Sequence, residues 1–261
     1  SKDKLLRTIT TGNSVKETVT YQSLQNNSYE PSPNGMPVPI YQPASTDVYP
    51  NINIQFAPTF QVVSKLEKQS ASVYKKQLFS YYGATSNMQG LGFLGFKQTA
   101  RTNWFGTSNN GIITSFSTFN TNLRGANTEN YTIGYFSTAY DNPAPTDFLT
   151  KSVISYNTAT DALQANKVFK LKNTFSQQFN GLEGTSSETT TVLDTYNNPT
   201  QSTIVVKQTG VIQQTTVSDL EYNLPSISPY VIGRPVKKKQ SVTVTGDVMT
   251  TEEQYTYTNS L

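Results

Sequence analysis

The feature that most constrains the fold is an alternation of apolar and polar residues that recurs along most of the chain. In the segment 14–24, for example, Val19 and Tyr21 fall on one side, and in 241–247 Val242 and Val244 do the same. Side chains in a β-strand alternate between the two faces, so this period of two predicts strands. The connections are too short for the helical crossovers that parallel strands need. We therefore predict an all-β chain with many mostly antiparallel strands in one or more twisted sheets.

Clusters of turn-forming residues separate the predicted strands, for example at 31–39, 107–111 and 196–199. The best candidate for a helix is the segment 158–171, but its last residues already resemble a strand. We therefore predict little or no helix. The Pro-rich segment 141–147 is the best internal boundary, and we predict two halves, 1–140 and 148–261, that share a continuous sheet. The chain starts without an initiator Met, which indicates that 1–261 is a fragment of a larger protein.

Composition excludes several classes of function. The chain has no cysteine and no histidine, which removes disulfides, thiolate metal sites and nucleophiles that depend on His or Cys. The charged fraction is 14% and the net charge +3, too weak a field to favour nucleic-acid binding. No apolar run approaches the roughly 18 residues of a membrane span. We expect no metal, no cofactor, no nucleic-acid partner and no membrane span.

A glycine motif within 89–96 raises the question of nucleotide binding. Its glycines have the G-x-G-x-x-G spacing and are Gly90, Gly92 and Gly95. A dinucleotide site would need a helix opening after the last glycine and an acidic residue about 20 positions on. The sequence after Gly95 has no helical period, and residues 96–128 include neither Asp nor Glu. We predict instead that the glycines mark a bend or bulge in extended chain, with Phe93, Leu94 and Phe96 as buried anchors.

The stretch 78–100 resembles a signature of the secreted RHS/YD-repeat proteins, in the SpvB-like and Tc-toxin B-component branch. Leu91 stands where that signature usually has arginine. In addition, 190–204 resembles a YD-type repeat with Tyr196, Asn198 and Pro199 in its turn, and 230–242 resembles the Gly-Arg-Pro strand of the family. The residues that match the signature are Tyr81, Tyr82, Gly90, Gly92, Phe93, Leu94, Gly95 and Phe96.

This resemblance implies a structural protein of RHS/YD-repeat fold with no catalytic residues. In the family, repeated β-hairpins coil into a hollow shell that encloses an effector. The resemblance implies that the chain is a segment of such a shell, in a secreted or surface-associated bacterial protein related to toxins and virulence. The implied partners are neighbouring shell segments of the same polypeptide and an enclosed effector domain. The chain lacks an Asp-Pro dipeptide, so no self-cleavage residues are carried over.

The alternative is a carbohydrate- or protein-binding β module that uses exposed aromatic residues. Trp104, the single tryptophan, is the candidate for stacking on a ligand. A wall segment predicts that Phe93, Phe96 and Trp104 are mostly buried, whereas a binding module predicts Trp104 exposed in a concave patch.

Other charged groups favour structural roles. Adjacent Glu252 and Glu253 would face opposite sides of a strand and could not flank one glycosidic bond. Asp141 and Asp147 lie in a Pro-rich loop, where Asp commonly supports turns. We interpret the lysine run 237–239 as a solvated turn or a protected edge strand.

Overall fold

The computed structural model describes residues 5–25, 28–157, 171–227 and 230–257. The chain divides into two compact units, residues 1–149 and 150–261. Strands account for about 63% of the residues and helix for 3%, which confirms the all-β prediction. The helical candidate at 158–171 lies, except for its last residue, outside the described residues. The continuous sheet shared by two halves stays a prediction.

The first unit contains a long antiparallel meander. Its seven principal strands pair in the order β1-β2-β7-β8-β9-β10-β11, and β5 and β6 pair with β8 beside the path. Only the β5–β8 pairing among these is parallel. A separate small hairpin, β3–β4, fills the proline-rich region. The strands are β1 (Thr8–Thr10), β2 (Lys16–Leu24), β3 (Tyr29–Pro31), β4 (Pro37–Pro39), β5 (Tyr41–Gln42), β6 (Asn51–Asn53), β7 (Ala57–Gln69), β8 (Tyr74–Asn87), β9 (Gly92–Thr102), β10 (Thr114–Asn120) and β11 (Ala126–Ile133).

The apolar core lies in this first unit, in three clusters of buried side chains. The largest fully buried members include Tyr41, Leu24 and Ile40 in one cluster and Phe116 and Ile133 in another. A third, smaller cluster consists of Leu78, Phe105 and Ile112. Burial of side chains of this size stabilises a fold by roughly 1.5–3 kcal/mol each.

The second unit is a simpler meander of successive hairpins. Its strands pair in the order β12-β13-β14-β15-β16-β19-β20, and β17 pairs with β18 separately. The strands are β12 (Phe148–Asn157), β13 (Lys172–Asn180), β14 (Thr185–Leu193), β15 (Pro199–Gln208), β16 (Val211–Tyr222), β17 (Ser226–Ile227), β18 (Tyr230–Val231), β19 (Pro235–Val244) and β20 (Asp247–Gln254).

The second unit has no buried apolar core in the part that the structure describes. Among the residues whose burial the structure describes, Thr216 is the one buried residue of the second unit, and every buried apolar residue lies before residue 140. Polar side chains occupy both faces of the sheet. One face carries Val206 between Ser187 and Gln214, and the next position along, on the other face, carries Val205 between Glu188 and Thr215. Neither face has the continuous apolar surface that packing a second layer would require.

The strand pairing corrects one prediction about the second unit. Lysines 237–239 lie in β19, which pairs with β16 on one side and β20 on the other, so they form neither a turn nor an edge. Their strand position is tolerated because carboxylates flank them, with the Lys237 Nζ 3.3 Å from Glu252 and 3.9 Å from Glu221.

Candidate functional site

The glycine motif forms the tip of the β8–β9 hairpin. Residues 88–91 make the turn, and β9 begins at Gly92 and continues as extended chain to Thr102. Gly90 and Gly92 have φ of +98° and +69°, values at which a side chain would be strained. No helix follows Gly95, so the prediction of extended chain is confirmed and the helix N-terminus of a dinucleotide site is missing here.

Gly95 permits a β-bulge in the same hairpin. Thr85 pairs with Gly95 and Ser86 pairs with Phe93, which leaves Leu94 as an extra residue on β9. Gly95 has φ of +107°, as expected for a strand that bends at a bulge. The Leu94 carbonyl oxygen lies 2.7 Å from the position that a Cβ on Gly125 would occupy. The bulge therefore requires glycine at two places far apart in sequence.

The aromatic residues of the signature form a chain of ring contacts. Phe93 lies 5.1 Å from Phe60 and 5.6 Å from Phe96 between ring centroids, and Phe96 lies 4.8 Å from Tyr81. The prediction that all these anchors are buried is wrong for Phe93, which is 43% exposed. Leu94 and Phe96 are half-buried. The Phe93 ring packs against Phe60, which is itself exposed and therefore shields Phe93 incompletely.

The two signature tyrosines serve different clusters. Tyr81 packs against the cluster of Leu24 and Ile40, and its hydroxyl donates to the Val63 carbonyl at 2.8 Å. Burial raises the pKa of Tyr81 to about 12, so the phenol stays neutral at physiological pH. Tyr82 packs against the other large cluster, which contains Phe116. The pair thus contributes to packing rather than to proton transfer.

An ion pair that sequence reasoning missed supports the same hairpin. The Lys97 Nζ lies 2.6 Å from Asp47, whose second carboxylate oxygen accepts from the Thr85 hydroxyl at 2.7 Å. The Lys97 stem passes over Gly83, where a Cβ would lie 2.9 Å from the lysine Cδ. Asp47 lies in a loop, and its separation from Lys97 in sequence left no local signal.

The YD-type segment contains a turn that includes Tyr196 and is followed by Asn198, but Pro199, which was also expected in the turn, is the first residue of β15. The acceptor of the turn is Asp194, which sequence reasoning did not single out. The Asp194 carboxylate accepts from the backbone N–H groups of Tyr196 and Asn198, both at 2.8 Å, and from the Asn198 side chain at 2.9 Å. Burial raises the pKa of Asp194, but these hydrogen bonds outweigh it and hold the pKa below its ordinary value.

The Gly-Arg-Pro segment contacts this turn. Gly233 has φ of +74°, and a Cβ there would collide with the Asn198 side-chain oxygen. The Arg234 guanidinium lies over the Tyr257 ring at 4.6 Å, and the Tyr257 hydroxyl donates to the Pro235 carbonyl at 2.7 Å. The two patches of family resemblance in the second unit are therefore joined in space.

Trp104 is held outward by its neighbours in the first unit. Asn103 pairs with Ile113 through its backbone and its side chain, and Phe105 forms a bridge with Lys76. Phe105 is buried in the third core cluster. Because successive side chains of extended chain point to opposite sides, burial of Phe105 turns Trp104 toward solvent.

Trp104 lines an open groove of about 600 Å³, within the size range of small-molecule sites. It is 39% exposed, so the prediction of a mostly buried Trp104 is wrong, and the concave, exposed arrangement expected of a binding module is the one found. The groove lies beside the ends of the β1–β2 and β7–β8 hairpins. Its other lining residues are Val15, Glu17, Lys68, Ser70, Val73 and Lys75.

Two of the carboxylates considered for glycoside hydrolysis, Asp141 and Asp147, accept hydrogen bonds that order the surrounding loop. Asp141 accepts from the Ser137 hydroxyl at 2.8 Å and the Thr138 N–H at 2.7 Å, and Asp147 accepts from the Tyr135 hydroxyl at 2.6 Å. Within the described ranges, no group of three or more His, Cys, Asp or Glu residues could hold a metal ion. A helix long and apolar enough to cross a membrane is likewise missing from those ranges.

Comparison with solved structures shows that this architecture is similar to parts of Tc toxin chains. The fold is similar to a region of the crystal structure of TcdB2-TccC3, with a TM-score of 0.53 and 10% sequence identity over 89% of this chain. It is also similar to the Photorhabdus luminescens Tc holotoxin pore carrying a TccC3 mutation, with a TM-score of 0.55 and 10% identity over 93% of this chain. The chain has a Tc-toxin-like fold.

That likeness is one of fold alone. The chain spans 15% of the length of each of the two toxin chains. No protein-family model matches the sequence, and no curated protein is significantly similar to it. The Tc-toxin-like fold agrees with the RHS-type architecture implied by the signature at 78–100.

Proposed function

We propose that the chain is a non-catalytic wall segment of a β-shell, in a secreted or surface-associated bacterial RHS/YD-repeat protein of the Tc-toxin B-component branch. In the full polypeptide it adjoins further shell segments, and together they enclose or present an effector. The Tc-toxin-like fold and the signature at 78–100 support this assignment.

The observation that carries the proposal is the coreless, polar-faced sheet of 150–261. A free-standing globular sheet buries one face against another layer. Here the described strands are stabilised by long backbone ladders, and each face carries mainly Thr, Ser and Gln. A sheet with two hydrated faces is suited to separating two aqueous spaces.

Protease protection in the full-length polypeptide tests this function. The enclosed effector should resist a protease that digests it rapidly once the shell is unfolded. Val205→Pro removes a backbone donor from β15, an interior strand of the second unit, and should open the wall and expose the effector. Val205→Thr keeps the N–H and the branched side chain and should leave protection intact. Digestion of the effector in the wild-type protein at the same rapid rate as in the Pro variant would refute enclosure.

A second function, ligand binding, is favoured by one specific observation. The single tryptophan is exposed within a groove instead of being used in a core. The exposure of Trp104 departs from the burial expected of a wall segment, so the groove supports ligand binding as a function additional to the wall role.

A further inference from the structure

The indole ring of Trp104 and its N–H are available to a ligand. Across the described residues, no other aromatic ring or cation contacts its indole, and its ring N–H has no hydrogen-bond partner. Phe105, directly beside it, is by contrast buried and has Lys76 over its ring at 5.2 Å. Exposed tryptophan offers a flat apolar face and one edge donor, a combination that is common at binding surfaces.

The charges beside Trp104 are unbalanced toward positive. Lys68 and Lys75 are direct partners across the β7–β8 ladder, where like charges disfavour pairing. Glu17 compensates Lys68, with 2.9 Å between the Nζ and the carboxylate oxygen. Lys75 has no carboxylate within ion-pair distance among the described residues. The groove therefore carries one uncompensated cation, which an anionic ligand would neutralise.

Hydrogen-bonding groups lie around the apolar surface that Trp104 and Val73 form. The Ser70 hydroxyl accepts from the Val73 N–H at 3.3 Å, so its own proton remains available to a ligand. Val73 is half exposed and extends the apolar surface next to Trp104. A flat apolar face ringed by donors fits a sugar ring, whose C–H face stacks and whose hydroxyl rim accepts hydrogen bonds. A short acidic peptide would use the cation but has no comparable need for the indole face.

We propose that this groove binds an acidic saccharide, with a sugar ring stacked on Trp104 and a carboxylate paired with Lys75. The inference rests on the second function proposed above and names its ligand class. It does not depend on shell formation.

Intrinsic fluorescence gives a site-specific test because Trp104 is the single tryptophan of the chain. A tetramer of galacturonic acid should change the emission in a saturable manner. Its methyl ester has the same rings without the charges and should bind about tenfold more weakly, as expected for loss of a charge-assisted contact. Added salt should weaken binding of the acid more than binding of the ester.

Matched lysine variants locate the charge. Lys75→Gln should reduce affinity for the acid to that for the ester. Lys239→Gln removes the same charge from β19 in the second unit, outside the groove, and should leave the affinity for the acid unchanged. Thermal unfolding of both variants verifies that the fold is intact. Trp104→Ala, followed by calorimetry, should abolish binding of both ligands.

The possible outcomes distinguish failure of this inference from failure of the ligand-binding function on which it rests. Equal binding of acid and ester would overturn the acidic class and leave saccharide binding standing. Binding of tetraglutamate as tight as that of the acid would overturn the saccharide assignment in favour of an acidic peptide. No response to any probe would overturn the inference and the ligand-binding function together, while the protease test of the shell would be unaffected.

Discussion

Individual residues in the second unit act mainly by fixing turns. Asp194, Asn198 and Gly233 form one contact group, in which a carboxylate orders the turn and a glycine leaves room for the amide. A sheet without a buried core depends more heavily on such local groups, because register is weakly specified where neither face is apolar.

We predict that Gly233→Ala destabilises the chain by about 2–4 kcal/mol. The substitution combines a strained left-handed backbone with a collision against Asn198. Gly210→Ala is the control, since its φ of +83° is similar but open space surrounds it, and its cost should be only about 1 kcal/mol. Urea unfolding measures both, and equal losses would show that the Asn198 contact is unimportant.

Asp194 should make stability depend on pH. Its folded pKa is lowered below the ordinary value of 3.8, so its contribution is complete above that value and is lost as the pH falls through the folded pKa. Asp194→Asn should be less stable than the wild type at pH 7, and the difference should narrow below about pH 4. Denaturant midpoints at both pH values measure this. A difference that stays constant with pH would contradict it.

At the scale of elements, the β8–β9 hairpin organises the first unit. Tyr81 and Tyr82 face different clusters, and the bulge at Leu94 redirects β9 after the turn. The hairpin needs glycine for its geometry and aromatic residues for its packing, which accounts for the composition of the signature without any ligand.

Removing one hydroxyl tests how the Tyr-Tyr pair connects elements. Tyr81→Phe loses the bond to the Val63 carbonyl of β7 and should cost about 1 kcal/mol. Tyr82 has no side-chain hydrogen bond within the described part of the chain, so Tyr82→Phe should be close to neutral. Thermal unfolding compares them, and equal shifts would show that the hydroxyl bond of Tyr81 is not what matters.

Sequence reasoning succeeded where the signal was local. Alternation located β2 and β19 because a period of two needs only neighbouring residues, and the lack of a helical period after Gly95 correctly predicted extended chain. It failed where the answer depended on distant chain. The exposure of Phe93 and Trp104 depends on which distant residues pack against them, and the Asp47–Lys97 pair joins a loop to a strand far along the sequence.

At the scale of the whole molecule, the uneven distribution of the core should be visible in hydrogen exchange. Strand amides in 150–261 are paired in ladders but lack apolar cover, so they should open more easily than those in β8 and β10. Native-state exchange followed by mass spectrometry, under conditions where opening limits exchange, measures this difference. Equal protection of the two regions would indicate that the second unit has stabilising contacts beyond its ladders.

The order of strand pairing in the second unit also affects how a chain of this kind can gain or lose strands. From β12 to β16 each strand pairs with its immediate successor, so duplication of a hairpin would lengthen the sheet by two strands and leave every existing register intact. Gene segments encoding hairpins could then be added or removed with little structural penalty, as in other repeat architectures. A lineage could thereby adjust the width of the sheet by copying a hairpin that it already possessed.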